Sequence, residues 1–362
     1  TKAVHKRPAA LAYQEIVHRA PEDIATRRRA GILFSALPGF PGRADLQFKH
    51  VLEQSPRDVE GNRRLGELYL QSRNFKQAED YIRRTLEYAP QDAQAHNNLA
   101  TLLIGQNRFE DAVDEYRQSL RLDPKLMVAQ LNVAKVLLGL NRKEEAIEPL
   151  KIFLAAEPLH EEALRLMANA LRDLGRREEA IREYEALHAL RPDDAMASMS
   201  AAELQRGLGR PKTAAGLYEA ILEKQPANVD ALREAGRLYG ELEMPLRSVF
   251  CWQRVMTLKP GDLEATRRLA ELYKQIGSDD AALKNFEIVG KSGDAEAWKQ
   301  VAAMRTARKD ADGAKQAYRE AIKLKQQDIE ARRQLAAMLQ SGAEAEEKDE
   351  ARTLYDEILR LE

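Results

Sequence analysis

Residue types that could do chemistry are few, and their spacing favours none. Six histidines, His5, His18, His50, His96, His160 and His188, are scattered along 362 residues. The stretch "HEEAL" at 160 begins like a zinc-binding helix, in which two histidines four places apart share one face, but Leu164 stands where the second is needed. The single cysteine, Cys251, has no partner for an internal disulfide and stands beside Trp252, so it reads as a small apolar packing residue. Carboxylate pairs such as Glu144–Glu145 and Glu178–Glu179 have the right types for acid–base work. Each pair lies in the first turn of an expected helix, however, where negative charge complements the helix dipole. No glycine-rich phosphate cradle and no nucleophile elbow is present. The expectation is a chain that is not an enzyme and carries neither metal nor cofactor.

Composition narrows the partners. Lys and Arg number 57 against 58 Asp and Glu, a net charge of −1, so no global field draws polyanions and nucleic acid is disfavoured. No apolar run is long enough to span a bilayer, and no secretory leader can be read. One unpaired cysteine fits a reducing cytoplasm and a bacterial periplasm equally. The chain begins at Thr1 rather than Met, which reads as processing or excision.

Whatever this chain does must rest on elements repeated at a fixed interval. Pro56, Pro90, Pro124, Pro158, Pro192, Pro226 and Pro260 are spaced 34 residues apart. Ten places after each stands a small residue: Gly66, Ala100, Ala134, Ala168, Ala202, Gly236 and Ala270. Twelve places later comes another: Ala78, Ala112, Ala146, Ala180, Ala214, Ser248 and Ala282. Large residues follow at Ile82, Tyr116, Leu150, Tyr184, Tyr218, Trp252 and Phe286. Turn formers such as "GQNRF" and "DLGRR" separate the two small columns, so each period reads as a helix–turn–helix hairpin. Small residues let the two helices approach, the large column fills the space between hairpins, and proline ends the second helix.

These columns resemble the tetratricopeptide repeat family, most clearly in "GNRRLGELYLQSRNFKQAEDYIRRTLEYAP" with Leu65, Gly66, Tyr69, Ala78 and Pro90, and with Trp298 in the family's tryptophan column. The resemblance runs from about residue 24 to the C-terminus. It implies an all-α fold, a right-handed superhelical solenoid of antiparallel helix hairpins built on 34-residue repeats. Within that frame, residues 1–23 form a leading helix or half repeat (Ala9, Tyr13, Ile16, Pro21). Residues 24–57 form a degenerate repeat with a swollen "LPGFPG" turn, residues 58–291 seven regular repeats, and residues 292–362 two divergent ones. The last of these carries an inserted turn, "SGAEAEEKDEA". Both ends lack a solvating helix, from which a segment of a larger protein is expected.

The family places the second, fifth and ninth positions of each first helix, counted from three places after the proline, on a concave face, with the twelfth at its margin. The fifth column reads Arg28, Arg63, Asn97, Leu131, Arg165, Met199, Arg233, Arg267, Lys299 and Arg333. Such a basic ladder suits a partner's carboxylates or phosphates. The second column, with Glu60, Glu162, Asp230, Glu264, Glu296 and Glu330, offers the alternative that these bases serve i,i+3 pairing along the helix. Val128, Leu131 and Leu138 in one repeat, and Met196 and Met199 in another, add apolar groups to the same face. Arg165 and Asn169 could begin the family's carboxylate clamp, but Ser200, Asp230 and Glu234 break it; the family's asparagine ladder is reduced to Asn98 and Asn132. Pro149, inside a second helix, predicts a kink.

The expected function is a non-catalytic protein–protein interaction scaffold. Its partner would be a helix or peptide with an apolar middle and acidic flanks, bound along the concave face. A bacterial envelope assembly for polysaccharide export is one setting; the alternative is the recruiting arm of an enzyme whose catalytic domain lies elsewhere. No membrane insertion is expected.

Overall fold

The computed structural model describes residue 12 and residues 15–19, 22–36, 41–342 and 344–361. These contain no β-strand, and the chain divides at Leu190 into two units. The first unit holds α1 (Ile24–Ser35), α2 (Pro41–Gln54), α3 (Val59–Gln71), α4 (Phe75–Tyr88), α5 (Ala93–Gly105), α6 (Phe109–Leu122), α7 (Met127–Gly139), α8 (Lys143–Ala156), α9 (Glu161–Asp173) and α10 (Arg177–Leu190). The second holds α11 (Ala195–Gly207), α12 (Pro211–Lys224), α13 (Val229–Glu241), α14 (Pro245–Leu258), α15 (Leu263–Gln275), α16 (Asp279–Lys291), α17 (Ala295–Ala307), α18 (Ala311–Leu324), α19 (Ile329–Gln340) and α20 (Ala345–Leu361). Within each unit, odd and even helices pair as antiparallel hairpins, and each even helix packs on the next odd one.

Local sequence accounts for each boundary. Two residues after Pro56, Pro90, Pro192, Pro226 and Pro260 stand Asp58, Asp92, Asp194, Asn228 and Asp262, and each side chain caps the N-terminus of the following odd helix. The proline carbonyl is also used: Asn62, His96 and Gln130 reach back to those of Pro56, Pro90 and Pro124 at 3.1, 3.0 and 3.2 Å. Between the helices of a hairpin, one residue takes positive φ, Arg73, Asn107, Asn141, Gly175, Gly209, Glu243, Gly277 and Lys309 in turn. There the left-handed residue ends the odd helix and frees its last carbonyls for the turn, as in Met244 N–H to Tyr239 C=O at 2.8 Å.

Both small columns are buried, and so is the large column from Ile82 to Phe286. Pro211 and Pro245 open α12 and α14, where a missing N–H costs nothing. Pro149 does not end α8, which continues through it to Ala156. Near the C-terminus α20 runs for 17 residues, and Ala351 and Ile358 reach the core. Upstream, Ala30, Phe34, Ala44 and Phe48 are buried. Ala9, Tyr13, Pro21 and most of the "LPGFPG" turn lie outside the described residues, and Ile16 is 46% exposed while its neighbour Val17 is buried.

Candidate protein-binding face

The fifth column of the odd helices is held by a contact the sequence reading did not contain. In five places its base meets the aspartate that caps the next odd helix. Arg28 pairs with Asp58, Arg233 with Asp262 and Arg267 with Asp294. Arg63 lies 3.5 Å from Asp92 and Lys299 3.3 Å from Asp328. The carboxylate divides its work the same way each time. Oδ1 accepts a backbone N–H from Gly61, Ala95, Ala265, Ala297 or Ala331, and Oδ2 faces the base. One aspartate therefore caps its own helix and ties it to the preceding hairpin.

Where the next cap is not aspartate, the column has no base. Asn97 precedes the Leu126 cap, Leu131 the His160 cap and Met199 the Asn228 cap. His160 itself is explained by this position: its Nδ1 accepts the Ala163 N–H at 3.2 Å, and its ring meets Phe153 edge-on at 4.9 Å. The i,i+3 pairs expected along the helices also form, Arg63 with Glu60 and Lys299 with Glu296 at 2.7 Å. Arg165 pairs with Glu161 at 3.2 Å. A second tie joins the ninth position to the next second position, Lys135 to Glu162 at 2.8 Å and Arg237 to Glu264 at 2.5 Å.

Burial works against the charge on Asp262 and Asp328, yet the cap N–H of Ala265 or Ala331 and the base beside each outweigh it and hold both carboxyls below their ordinary range. The two asparagines are also engaged. Asn97 is buried, with its amide donating to Asn98 at 3.4 Å, and Asn169 accepts the Tyr184 hydroxyl at 2.6 Å. Apolar groups stand open on this face as well: in the first unit Val128 is 45% exposed, beside half-buried Leu131 and Leu138 on α7. In the second unit Met196 is 76% exposed, while Met199 packs partly into the core.

No group of side chains able to hold a metal ion occurs among the described residues, and none of their helices is long and apolar enough to cross a membrane. Burial drives the Cys251 thiol up to about 11, the behaviour of a packing residue. The model of the tetratricopeptide repeat family matches residues 63–126, 131–195, 165–229 and 199–240. The chain belongs to the tetratricopeptide repeat family. Among solved structures, YrrB, described as a TPR protein with an unusual peptide-binding site, is 21% identical over 51% of this chain and 95% of its own, with a TM-score of 0.44. PilF of Pseudomonas aeruginosa is 24% identical over 60% of this chain and 100% of its own, with a TM-score of 0.40. A tetratricopeptide repeat protein from Parabacteroides merdae is 16% identical over 69% and 99%, with a TM-score of 0.41. A comparison with curated proteins gave no match. The tetratricopeptide repeat fold is in general a non-catalytic scaffold, and its members bind protein partners.

Proposed function

We propose that this tetratricopeptide repeat protein binds a helix or extended peptide of a protein partner through the apolar part of its first-unit face, Val128, Leu131 and Leu138. The observation that carries this is the division of labour in the fifth column. Its bases at Arg28, Arg63, Arg233, Arg267 and Lys299 are occupied by cap aspartates, so they chiefly join hairpins. Exposed apolar side chains beside charge are what a partner's apolar segment would cover. Acidic flanks on that segment are a further part of the proposal, and Arg165 of the same unit, with its side chain 37% exposed, is a base that could meet one. The setting we propose, a bacterial envelope assembly that exports polysaccharide, rests on analogy with scaffolds of this architecture.

A pull-down from the source organism, read by mass spectrometry, tests this with three baits. They are the unaltered chain, Val128→Glu with Leu131→Glu, and Arg165→Glu with Arg233→Glu and Arg267→Glu, each first checked for helicity. The expected result is a partner retained by the unaltered chain and lost with the apolar variant. Loss with the arginine variant alone would make the basic column the recognition surface, and retention by all three would remove this face from the interaction.

A further inference from the structure

Each even helix begins beside the end of the next odd helix, and three successive joints of the first unit close this meeting point differently. At the first, Phe75 opens α4 and Gly105 ends α5. The ring lies so close over the glycine that a Cβ there would stand 2.6 Å from it. At the third, Lys143 opens α8 and Asp173 ends α9, and the two form an ion pair at 2.8 Å. The middle joint repeats the residue types of the first, Phe109 opening α6 and Gly139 ending α7, but it is open. Nothing stands within 4 Å of a Cβ on Gly139, and Phe109 is 37% exposed. Between them lies a cavity of about 370 Å³ whose wall includes Ile104, Tyr116, Val136 and Leu140.

The chemistry of this slot is narrow. Its wall is mainly apolar, and the Tyr116 hydroxyl is already engaged by Thr101 at 3.1 Å. One charged group, the Lys135 ammonium, lies at the slot, its side chain half exposed and paired with the more exposed Glu162. We propose that the slot receives an aromatic side chain of a bound peptide, with an acidic residue beside it meeting Lys135. The kind of occupant follows from the neighbouring joint, where the same glycine notch is filled by a phenylalanine ring of the chain itself. The charge follows from Lys135. This rests on the reading of the chain as a peptide-binding scaffold and adds a specificity pocket to it, on the helix that also carries Val128, Leu131 and Leu138.

The test uses a random-peptide display library selected in parallel on the intact chain, on Gly139→Leu and on Val128→Glu with Leu131→Glu. Gly139 is helical and open, so leucine fills the slot from within, and a thermal melt no lower than that of the unaltered chain shows that the fold is kept. Peptides enriched on the intact chain should carry Phe, Tyr or Trp next to Asp or Glu. A synthetic copy should lose about tenfold or more in affinity on Gly139→Leu, and again when its aromatic residue becomes alanine, the scale of leaving one large apolar side chain in water. Lys135→Met should weaken it by a smaller factor. Peptides that bind the intact chain and Gly139→Leu alike overturn the slot, and so does a selection that enriches nothing. If those same peptides fail on the Val128 and Leu131 variant, the face proposed above stands without the slot. Loss on Gly139→Leu alone leaves the slot standing and removes that face.

Discussion

At Gly236 a Cβ would stand 2.7 Å from Nε1 of Trp252, whereas the hairpins with tyrosine in the large column, at Tyr116, Tyr184 and Tyr218, carry alanine at the matching place, Ala100, Ala168 and Ala202. The indole takes the space that alanine fills elsewhere. Gly236→Ala should therefore destabilise the chain by about 1–3 kcal/mol in urea unfolding, overpacking outweighing alanine's better helix propensity. Adding Trp252→Tyr should recover most of that loss. The turns make the opposite case. Glu243 holds φ at 55° although most side chains avoid that region, and Gly175, Gly209 and Gly277 serve the equivalent turns. Glu243→Gly should stabilise by about 0.5–1 kcal/mol, measured the same way, as relief of the left-handed strain exceeds the entropy cost of glycine.

Between elements, the shared aspartate is the quantity to measure. In a double-mutant cycle on Arg233→Met and Asp262→Asn, where asparagine keeps the cap but loses the charge, the coupling should be about 1–2 kcal/mol. A coupling near zero would reduce the pair to proximity. Its pH dependence has a definite sign. Asp262 and Asp328 have folded-state values below their unfolded ones, so their stabilisation is complete above the unfolded carboxylate range, about pH 4, and fades as pH falls through the folded values. The melting temperature of the unaltered chain should exceed that of Asp262→Asn with Asp328→Asn at neutral pH, and the gap should close in acid. The hairpins were legible in the sequence because prolines and small residues recur in one dimension. The bases of the fifth column were legible as residue types, and half of their pairing, the i,i+3 contacts, lies within one helix. Their partners across the joint were not, because Asp58 to Arg28 or Asp262 to Arg233 spans about one whole period and joins two columns that the reading kept apart. The signal was present all the same: aspartate two places after a proline accompanies a base one period earlier, and Leu126, His160 and Asn228 accompany none. The open notch at Gly139 had no signal, since Phe75 with Gly105 and Phe109 with Gly139 are the same residue types in two packings.

For the molecule as a whole, regularity means that a complete period can be removed without leaving a raw surface. Excising residues 93–126 would bring Asp92 directly before Met127, so the capping aspartate and its Arg63 contact both survive at the new joint. The shortened chain should keep the same ellipticity per residue and melt in one sharp transition, as expected when each hairpin contacts only its neighbours. A broad melt would show that the removed hairpin held something no neighbour can replace. The doubly used aspartate also bears on how such a chain grows by copying. A hairpin's own core suits many positions, but its leading residue must suit whatever precedes it. A duplicated hairpin set behind Arg233 with leucine or histidine at its head would strand a half-buried guanidinium, and one headed by aspartate behind Leu131 would lack its counter-charge. Order along the chain is thus written at the junctions, as a rule of which hairpin may follow which, and recombination is free only within that rule.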